Sequence, residues 1–542
     1  MSSPRHILML SAENDALAGG KVGGVGDVVR DVPTALVSLP EFEGRVTVVV
    51  PSAGFLHKDA TASIGTFAFP FRGAEQTGEL FEVPGKRPHP QIRQLVIHHP
   101  CLEATDPNTG KPRIYVDDPP GQPFASDASR FACFSAAAAA ALKAGLFGDI
   151  DRVHLHDWHA GLFLFVRDFV PGFADLQQYR TAFTIHNLAL QGIRPLGDPG
   201  DGASTALNNA SNLAAWFPGV DYDLSVVRDP EYTDCVNPMA IGIRLADAVH
   251  VVSPGYADEV CQPSRPHRNS PNCVFFGGEG LEADLQHARE EGRLHGILNG
   301  CEYDEQPEHP QRSEATWRDL LDILETEVAA WYAKKQSPRQ WLALQRLRKL
   351  QQSRQRPTVV LTSVTRVVDQ KVRLMREPVA STPLDRILAE TAGDAVYLLA
   401  GSGDSGYEKY LDEVARRHSN LIFLNGYSQA GADALYRAGD VFLMPSAFEP
   451  CGISQMLAMR DGQPCVVHSI GGLKDTVHDN KTGFAFSGDT PASLADAFVA
   501  CTLRAVSTKR DSPAEFTRLQ RAAFEERFPW SNSVREYLQR LY

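Results

Sequence analysis

The 542-residue chain has no C-x-x-C pair among its nine cysteines, no long apolar run and no surplus of positive charge. Each lack removes a class of function. An odd number of scattered thiols argues against a disulfide frame or a cysteine zinc module, and reads as the reduced cysteines of a cytoplasmic protein. The N-terminal apolar run, Ile7 to Leu10, ends before Glu13, so it reads as a strand rather than a signal peptide. No segment approaches the roughly 20 apolar residues of a membrane helix. Lys and Arg number 53 against 66 Asp and Glu, a net charge of -13, which argues against nucleic acid or an anionic membrane as a partner. What remains is an ordinary globular composition, 43% hydrophobic and 22% charged, on a chain long enough for two cores.

Short β-rich runs alternate with helical patterns throughout. The first half offers strands at His6–Leu10, Val46–Val50, Ile92–Ile97, Val153–His156, Thr181–Ile185 and Ala248–Val252, with a clear helix at Ser129–Ala144. The second half offers Thr358–Thr362, Ala395–Leu399, Leu421–Leu424, Val441–Met444 and Cys465–His468. Strands spaced by helices imply parallel sheets covered on both faces. The expectation is an α/β protein of two doubly wound, Rossmann-like domains facing each other across a cleft. Between the halves, Ser313–Arg356 is polar and helical, and its Lys334, Lys335, Arg346, Arg348, Lys349, Arg354 and Arg356 read as a solvated face. Leu196–Asn237 is long enough for a lid or binding loop.

In doubly wound sheets, ligands sit beyond the carboxyl ends of the strands, and the informative polar residues recur there. Phe442–Gly462 opens as a buried strand and breaks at Pro445. Pro450 suits the first turn of a following helix, Ile453, Met456 and Leu457 share one helical face, and Gly462 closes it. Such a helix start binds phosphate, while the carboxylate of Glu449 suits sugar hydroxyls. Lys21-Val-Gly-Gly-Val-Gly-Asp27 lets backbone approach a ligand, with Lys21 to neutralise phosphate. His154, His156 and His159 invite a zinc reading, but no glutamate base follows at helical spacing; Asp157 and His159 at the strand end suit sugar hydroxyls instead. His186-Asn187 ends another strand. Arg366 and Lys371, five residues apart, suit a diphosphate leaving group whose charge grows as its bond to carbon breaks. Gly401–Gly406 spells G-x-G-x-x-G, yet Asn425 stands where a nicotinamide-dinucleotide site needs an acid; a helix-start turn near a nucleotide is the better reading. Asp221 and Asp223 form a D-x-D without strand context, so no metal is expected there.

In order, these segments resemble those of the bacterial glycogen synthases and plant starch synthases, retaining glucosyltransferases of the two-domain GT-B fold. Lys21–Asp27 resembles K-T-G-G-L-G-D. His156–Gly161, Thr184–Ala189 with Gln191-Gly192, Ile297–Gly300 with Tyr303-Asp304, Arg366–Lys371 and Phe448–Gly452 with Gln455 and Ala458-Met459 all match family segments, as do Gly471–Leu473 with Asp475-Thr476. The likeness runs from Ile7 to Phe528–Trp530.

The resemblance implies glucose transfer from ADP-glucose, or possible use of UDP-glucose, to the non-reducing end of an α-1,4-glucan, with no cofactor and no metal. It assigns Lys21, Gly23, Gly24, Asn187 and Gly401 to the donor, with the N–H groups of Cys451, Gly452 and Ile453 on phosphate. Asp157, His186 and Asn187 border the glucose, His186 nearest the anomeric centre; Arg366 and Lys371 stabilise the departing diphosphate; Glu449 holds glucose hydroxyls. It also divides the chain into an acceptor-side domain, 1–253, joined by a C-terminal helix, 528–542, and a nucleotide-sugar domain, 254–527. Departures at Val22, Val372, Glu302, Gln306 and Ala447 bear on donor and acceptor choice, and motivate an alternative: a catalytically impaired relative that binds glucan or regulates.

Overall fold

Runs that are apolar at every position, such as Ile7–Leu10 or Val441–Met444, need cover on both faces of their sheet. A computed structural model supplies that cover. It describes all residues except 1–4, 107–109, 117, 119–121, 198–209, 267–272, 304–311, 354 and 377–380; Arg354, Asp304, Gln306 and the middle of the Leu196–Asn237 loop thus lie outside the described residues.

The strands of the first half are β1 (His6–Leu10), β2 (Arg45–Pro51), β3 (Ala62–Phe71), β4 (Ala74–Glu82), β5 (Ile92–His98), β6 (Arg152–His156), β7 (Arg180–Ile185), a short ribbon β8 (Arg194–Pro195) and β9 (Cys235–Val236), then β10 (Ala248–Val251) and β11 (Leu294–Gly296). They form a nine-stranded sheet in the order β11-β10-β7-β6-β1-β2-β5-β4-β3, parallel except where β4 and β3 add antiparallel to one edge. The second half contributes β12 (Val359–Val364), β13 (Ala395–Gly401), β14 (Leu421–Asn425), β15 (Val441–Met444), β16 (Cys465–His468) and β17 (Phe484–Phe486). Their sheet is parallel, in the order β14-β13-β12-β15-β16-β17.

Each order reverses once. In the first sheet the chain moves outward from β1 to β2 and β5, then returns to β6 on the other side of β1. In the second it moves from β12 to β13 and β14, then returns to β15 beside β12. Helices leave opposite faces of the sheet at such a reversal, and a crevice opens at the carboxyl ends between the two strands.

The domain boundary expected at 253/254 needs correction. Residues 254–296 continue the first sheet: the helices Pro254–Val260 and Glu282–Glu290 lead into β11, which pairs parallel with β10. The C-terminal segment also lies on this sheet. Trp530 Nε1 donates to Asp31 Oδ2 (3.3 Å), Arg152 Nε donates to Tyr542 O (2.8 Å), and the Tyr542 hydroxyl pairs with His154 Nδ1 (2.7 Å).

The polar segment 313–356 folds as two helices, Glu314–Lys334 and Pro338–Ser353, broken before Pro338. Lys334 and Lys335 are exposed as expected. The opposite stripe buries Trp317, Leu320, Leu321, Leu324, Leu344 and Leu347 against the second sheet, so the segment is a structural layer and not merely a solvated arm.

Trp530 is 5% exposed in the core that joins the C-terminal segment to the first sheet. Trp530→Ala should cost about 3–5 kcal/mol. Limited proteolysis should then cut near Phe528 before the rest of the chain, with unchanged cleavage overturning that coupling.

Candidate active site

The crevice between β1 and β6 holds the first group of residues. Beyond β1, the buried Glu13 carboxylate accepts the Val22 and Gly23 N–H groups (2.6 and 2.7 Å), and the Tyr115 hydroxyl donates to its other oxygen (3.0 Å). Glu13 therefore sets the shape of the Lys21 loop. Lys21 reaches forward to Asp27 (2.6 Å) in the first turn of helix Gly24–Val37, whose N-cap residue, Gly23, offers no side-chain cap. A Cβ on Gly24 would meet nothing within 4 Å; the fold does not require glycine there, and the space before it is open.

Asp157 follows β6 with a positive φ of 56°, a conformation costly for a residue with a side chain. The turn aims its carboxylate at the end of β7, where Oδ1 accepts the His186 N–H (2.7 Å). Burial pushes the Asp157 carboxyl up to about 7, against the backbone donors His186 and Asn187 that hold it down. The half-buried His186 pairs through Nε2 with His156 Nδ1 (3.0 Å). Burial, then the neighbouring histidines His156, His250 and His159, push the His186 imidazole well below its usual range, so it is neutral at pH 7. The Asn187 side-chain oxygen accepts the Ala189 N–H (3.0 Å).

His159 does not stand at the strand end with Asp157. It lies inside helix Trp158–Phe169, its ring stacked on Trp158 (4.3 Å) and edge-on to Phe131 (4.6 Å), and burial lowers it to about 3. His154 is equally internal, bonded to Thr184 and Tyr542. Asp223 accepts the Ser225 N–H (2.8 Å) as a helix cap rather than a ligand.

The crevice between β12 and β15 holds the second group. Lys371, in helix Asp369–Arg376, forms an ion pair with Glu449 Oε2. Two further bonds dock that helix on the β15 turn: Gln370 Nε2 to Phe448 O (3.0 Å) and Ala447 N to Gln370 O (2.8 Å). Val372 is fully buried in ordinary helix, and Ala447 packs in the same core; neither displaces the pair. Arg366 points outward, exposed. A Cβ on Gly401 would lie 1.9 Å from Thr365 O, and one on Gly403 2.4 Å from Val367 O. Those two glycines let β13 close on the segment carrying Arg366, and that packing accounts for the G-x-G without a dinucleotide.

Pro450 does not open the helix. The turn runs through Cys451 and Gly452, the latter at φ 78°, and the helix is Ser454–Arg460. The N–H groups of Cys451, Gly452 and Ile453 thus belong to a turn in front of a short helix. Met456, Ala458 and Met459 form its buried face, with Ile453 and Leu457 only half-buried; Gly462 ends it as expected. The turn also joins the halves. Ser253 Oγ, beyond β10, donates to Pro450 O (2.6 Å); Gly255 N donates to Asp475 (2.7 Å); Lys474 pairs with Glu259 (2.9 Å). Burial raises the Tyr427 phenol, beyond β14, and the Lys21 charge pulls it back. Sequence reasoning missed Glu13, Tyr115 and Glu259; an acid directly after a strand and before a glycine loop was the available signal for Glu13.

Asp157 gives a signed pH test. Its folded pKa of about 7 exceeds the reference 3.8, so the folded state holds the proton more tightly. The wild type should lose stability relative to Asp157→Asn as pH rises from about 4 to 7, by at most about 4 kcal/mol, and the difference should flatten above 7. Chemical denaturation of both proteins across that range checks this; a difference independent of pH would refute it.

The family model described as "Starch synthase catalytic domain" matches residues 6–287, and "Glycosyl transferases group 1" matches 379–502. Over 98% of both chains, the sequence is 33% identical to a glycogen synthase of Thioalkalivibrio sulfidiphilus and 32% identical to one of Anaeromyxobacter dehalogenans. The fold is similar to the catalytic domain of starch synthase IV from Arabidopsis thaliana bound to ADP and acarbose, with TM-score 0.70, 22% identity and coverage of 100% of this chain and 99% of that one. A sucrose-phosphate synthase from Thermosynechococcus elongatus is similar at TM-score 0.52. With polar groups gathered at both strand reversals of a GT-B fold, the chain belongs to the starch and glycogen synthase family of glycosyltransferases.

Proposed function

We propose that the protein moves glucose from ADP-glucose, with UDP-glucose as a poorer donor, to the non-reducing end of an α-1,4-glucan with retention at the anomeric carbon. The observation that carries this reading is the Lys371–Glu449 pair at the β12/β15 crevice, opposite the Lys21 loop and the Asp157–His186 turn at the β1/β6 crevice. The relatives are glycogen synthases, and the similar plant structure holds ADP and a glucan-like sugar, acarbose.

In this reading the bond from glucose C1 to the diphosphate oxygen breaks, the diphosphate leaves with the electron pair, and C1 joins the acceptor hydroxyl, which gives up its proton. Donor binding exchanges the partners of the ion pair: Lys371 turns to the diphosphate beside Arg366, and Glu449 is released to the glucose hydroxyls. The N–H groups of Cys451, Gly452 and Ile453, with Gly401 nearby, line the phosphates. Lys21, Gly23 and Gly24 close on the donor from the other side, while Asp157, neutral His186 and Asn187 border the sugar. Two fixed cations supply the charge that a metal would otherwise bring, so no metal or other cofactor takes part. The nine unpaired cysteines suit a reducing, cytoplasmic location.

Purified protein given maltooligosaccharides should release ADP from ADP-glucose faster than UDP from UDP-glucose, and a chelator should leave the rate unchanged. Lys371→Ala should lower kcat roughly 10²–10³-fold. Glucan binding with no diphosphate release from either donor would instead mark a non-catalytic, glucan-binding relative.

A further inference from the structure

We propose that His99, Cys101 and Cys133 form a binding site for one soft transition-metal ion of the zinc class, separate from the sugar-transfer site. The three residues share no sequence motif: His99-Pro-Cys101 lies in the turn after β5, and Cys133 lies in helix Ala125–Lys143. The fold brings the imidazole Nδ1 and both sulfurs within 4.8 Å of one another, the one such group among the described residues.

The local geometry favours ligation. The His99 Nδ1 accepts the Cys101 N–H (3.1 Å) and stands 3.8 Å from Cys133 Sγ. Nδ1 therefore carries its lone pair on the side where the sulfurs lie, and the Phe69 ring holds the imidazole edge-on at 5.3 Å. Tetrahedral zinc, with bonds of about 2.3 Å to sulfur and 2.0–2.1 Å to nitrogen, spaces its ligand atoms roughly 3.5–3.8 Å apart. The cluster needs only a small contraction, in which Nδ1 exchanges the Cys101 N–H for the ion. Two thiolates would neutralise the charge of a dication. The absence of a carboxylate in the set excludes magnesium and calcium as natural occupants. His99 and Cys101 are half-buried and Cys133 is buried, so the ion enters from the His99 side and its fourth position falls to water.

The site bears on the rest of the molecule through Arg130, one turn before Cys133. Its guanidinium donates to Leu102 O in the ligand-bearing turn (3.3 and 3.2 Å) and to Ile114 O (3.1 Å). The next residue, Tyr115, holds Glu13 and so the Lys21 loop. A bound ion clamps this support and takes no part in the chemistry.

The test uses untagged full-length protein, reduced and stripped of metal, with cobalt(II) as the spectroscopic probe. One cobalt per chain should bind with thiolate-to-metal charge-transfer absorption and tetrahedral ligand-field bands, both erased by zinc. Cys101→Ser should lose these bands while keeping the far-ultraviolet circular dichroism and melting temperature of the metal-free wild type, and His99→Ala should weaken them. Zinc should raise the melting temperature of the wild type and not of Cys101→Ser. Absence of the bands, or bands unchanged in Cys101→Ser, overturns the proposal. So does isolation of the protein with two thiols already oxidised that takes up no cobalt after reduction, which would mark the pair as a redox dithiol.

Discussion

The arrangement turns on one contact, the ion pair between Lys371 and Glu449 at the turn Glu449–Ile453. Both side chains are largely withdrawn from water, at 13% and 8% exposure, so removing either leaves the other a desolvated, unpaired charge. Such a pair is a weak source of stability compared with apolar residues of the same size. In the proposed reaction its value lies in holding two charges where a diphosphate and a sugar can take them over. The surrounding packing serves that end: Gly471 and Gly472 lie so close to the turn that a Cβ on either would meet Glu449 O at 2.0 Å or Cys451 O at 2.4 Å. Cys451 and Met456 sit in the core of the first half, while Ala447 sits in that of the second. One short turn therefore seals both cores and carries the charge.

The opposite crevice is organised by neutral groups. His154 and His250 bond through Thr184, and His154 also bonds the Tyr542 hydroxyl, while His156 stacks on His154 and pairs with His186. Burial pushes His154, His156 and His250 below their usual range. Without charge, they can stack beneath Asp157 and His186 at little electrostatic cost. The histidine-rich strand that invites a zinc reading is thus an uncharged floor beneath the β1/β6 crevice.

Much of the fold was legible. All eleven expected strands are present: most are nearly continuous apolar runs, the mark of strands buried on both faces, and the rest are short runs rich in β-branched and aromatic residues. The outer strands β4 and β3 went unread, although the alternate burial of Phe67, Phe69 and Phe71 in β3 follows the period-2 pattern of a half-buried strand. The boundary at 253 failed because β11 is three half-buried residues long, too short to leave a periodic signal. Pro450 misled because a proline after a strand fits a helix start and a turn equally well; the Ser253 contact and the φ of Gly452 decided for the turn.

Sequence alone determined which residue types stand at each strand end: lysine and glycine after β1, Asp157 after β6, His186 after β7, Arg366 and Lys371 after β12, Glu449 after β15. Residue type and distance from a strand end are local properties, and local properties are written in order along the chain. Only the tertiary structure decided which segments share a crevice, since that depends on where each sheet reverses. It alone paired Lys371 with Glu449 across 78 residues, returned Trp530 and Tyr542 to the first sheet, and set Cys133 beside His99. Contacts of that range are fixed by the packing of whole layers, which no single stretch of sequence records.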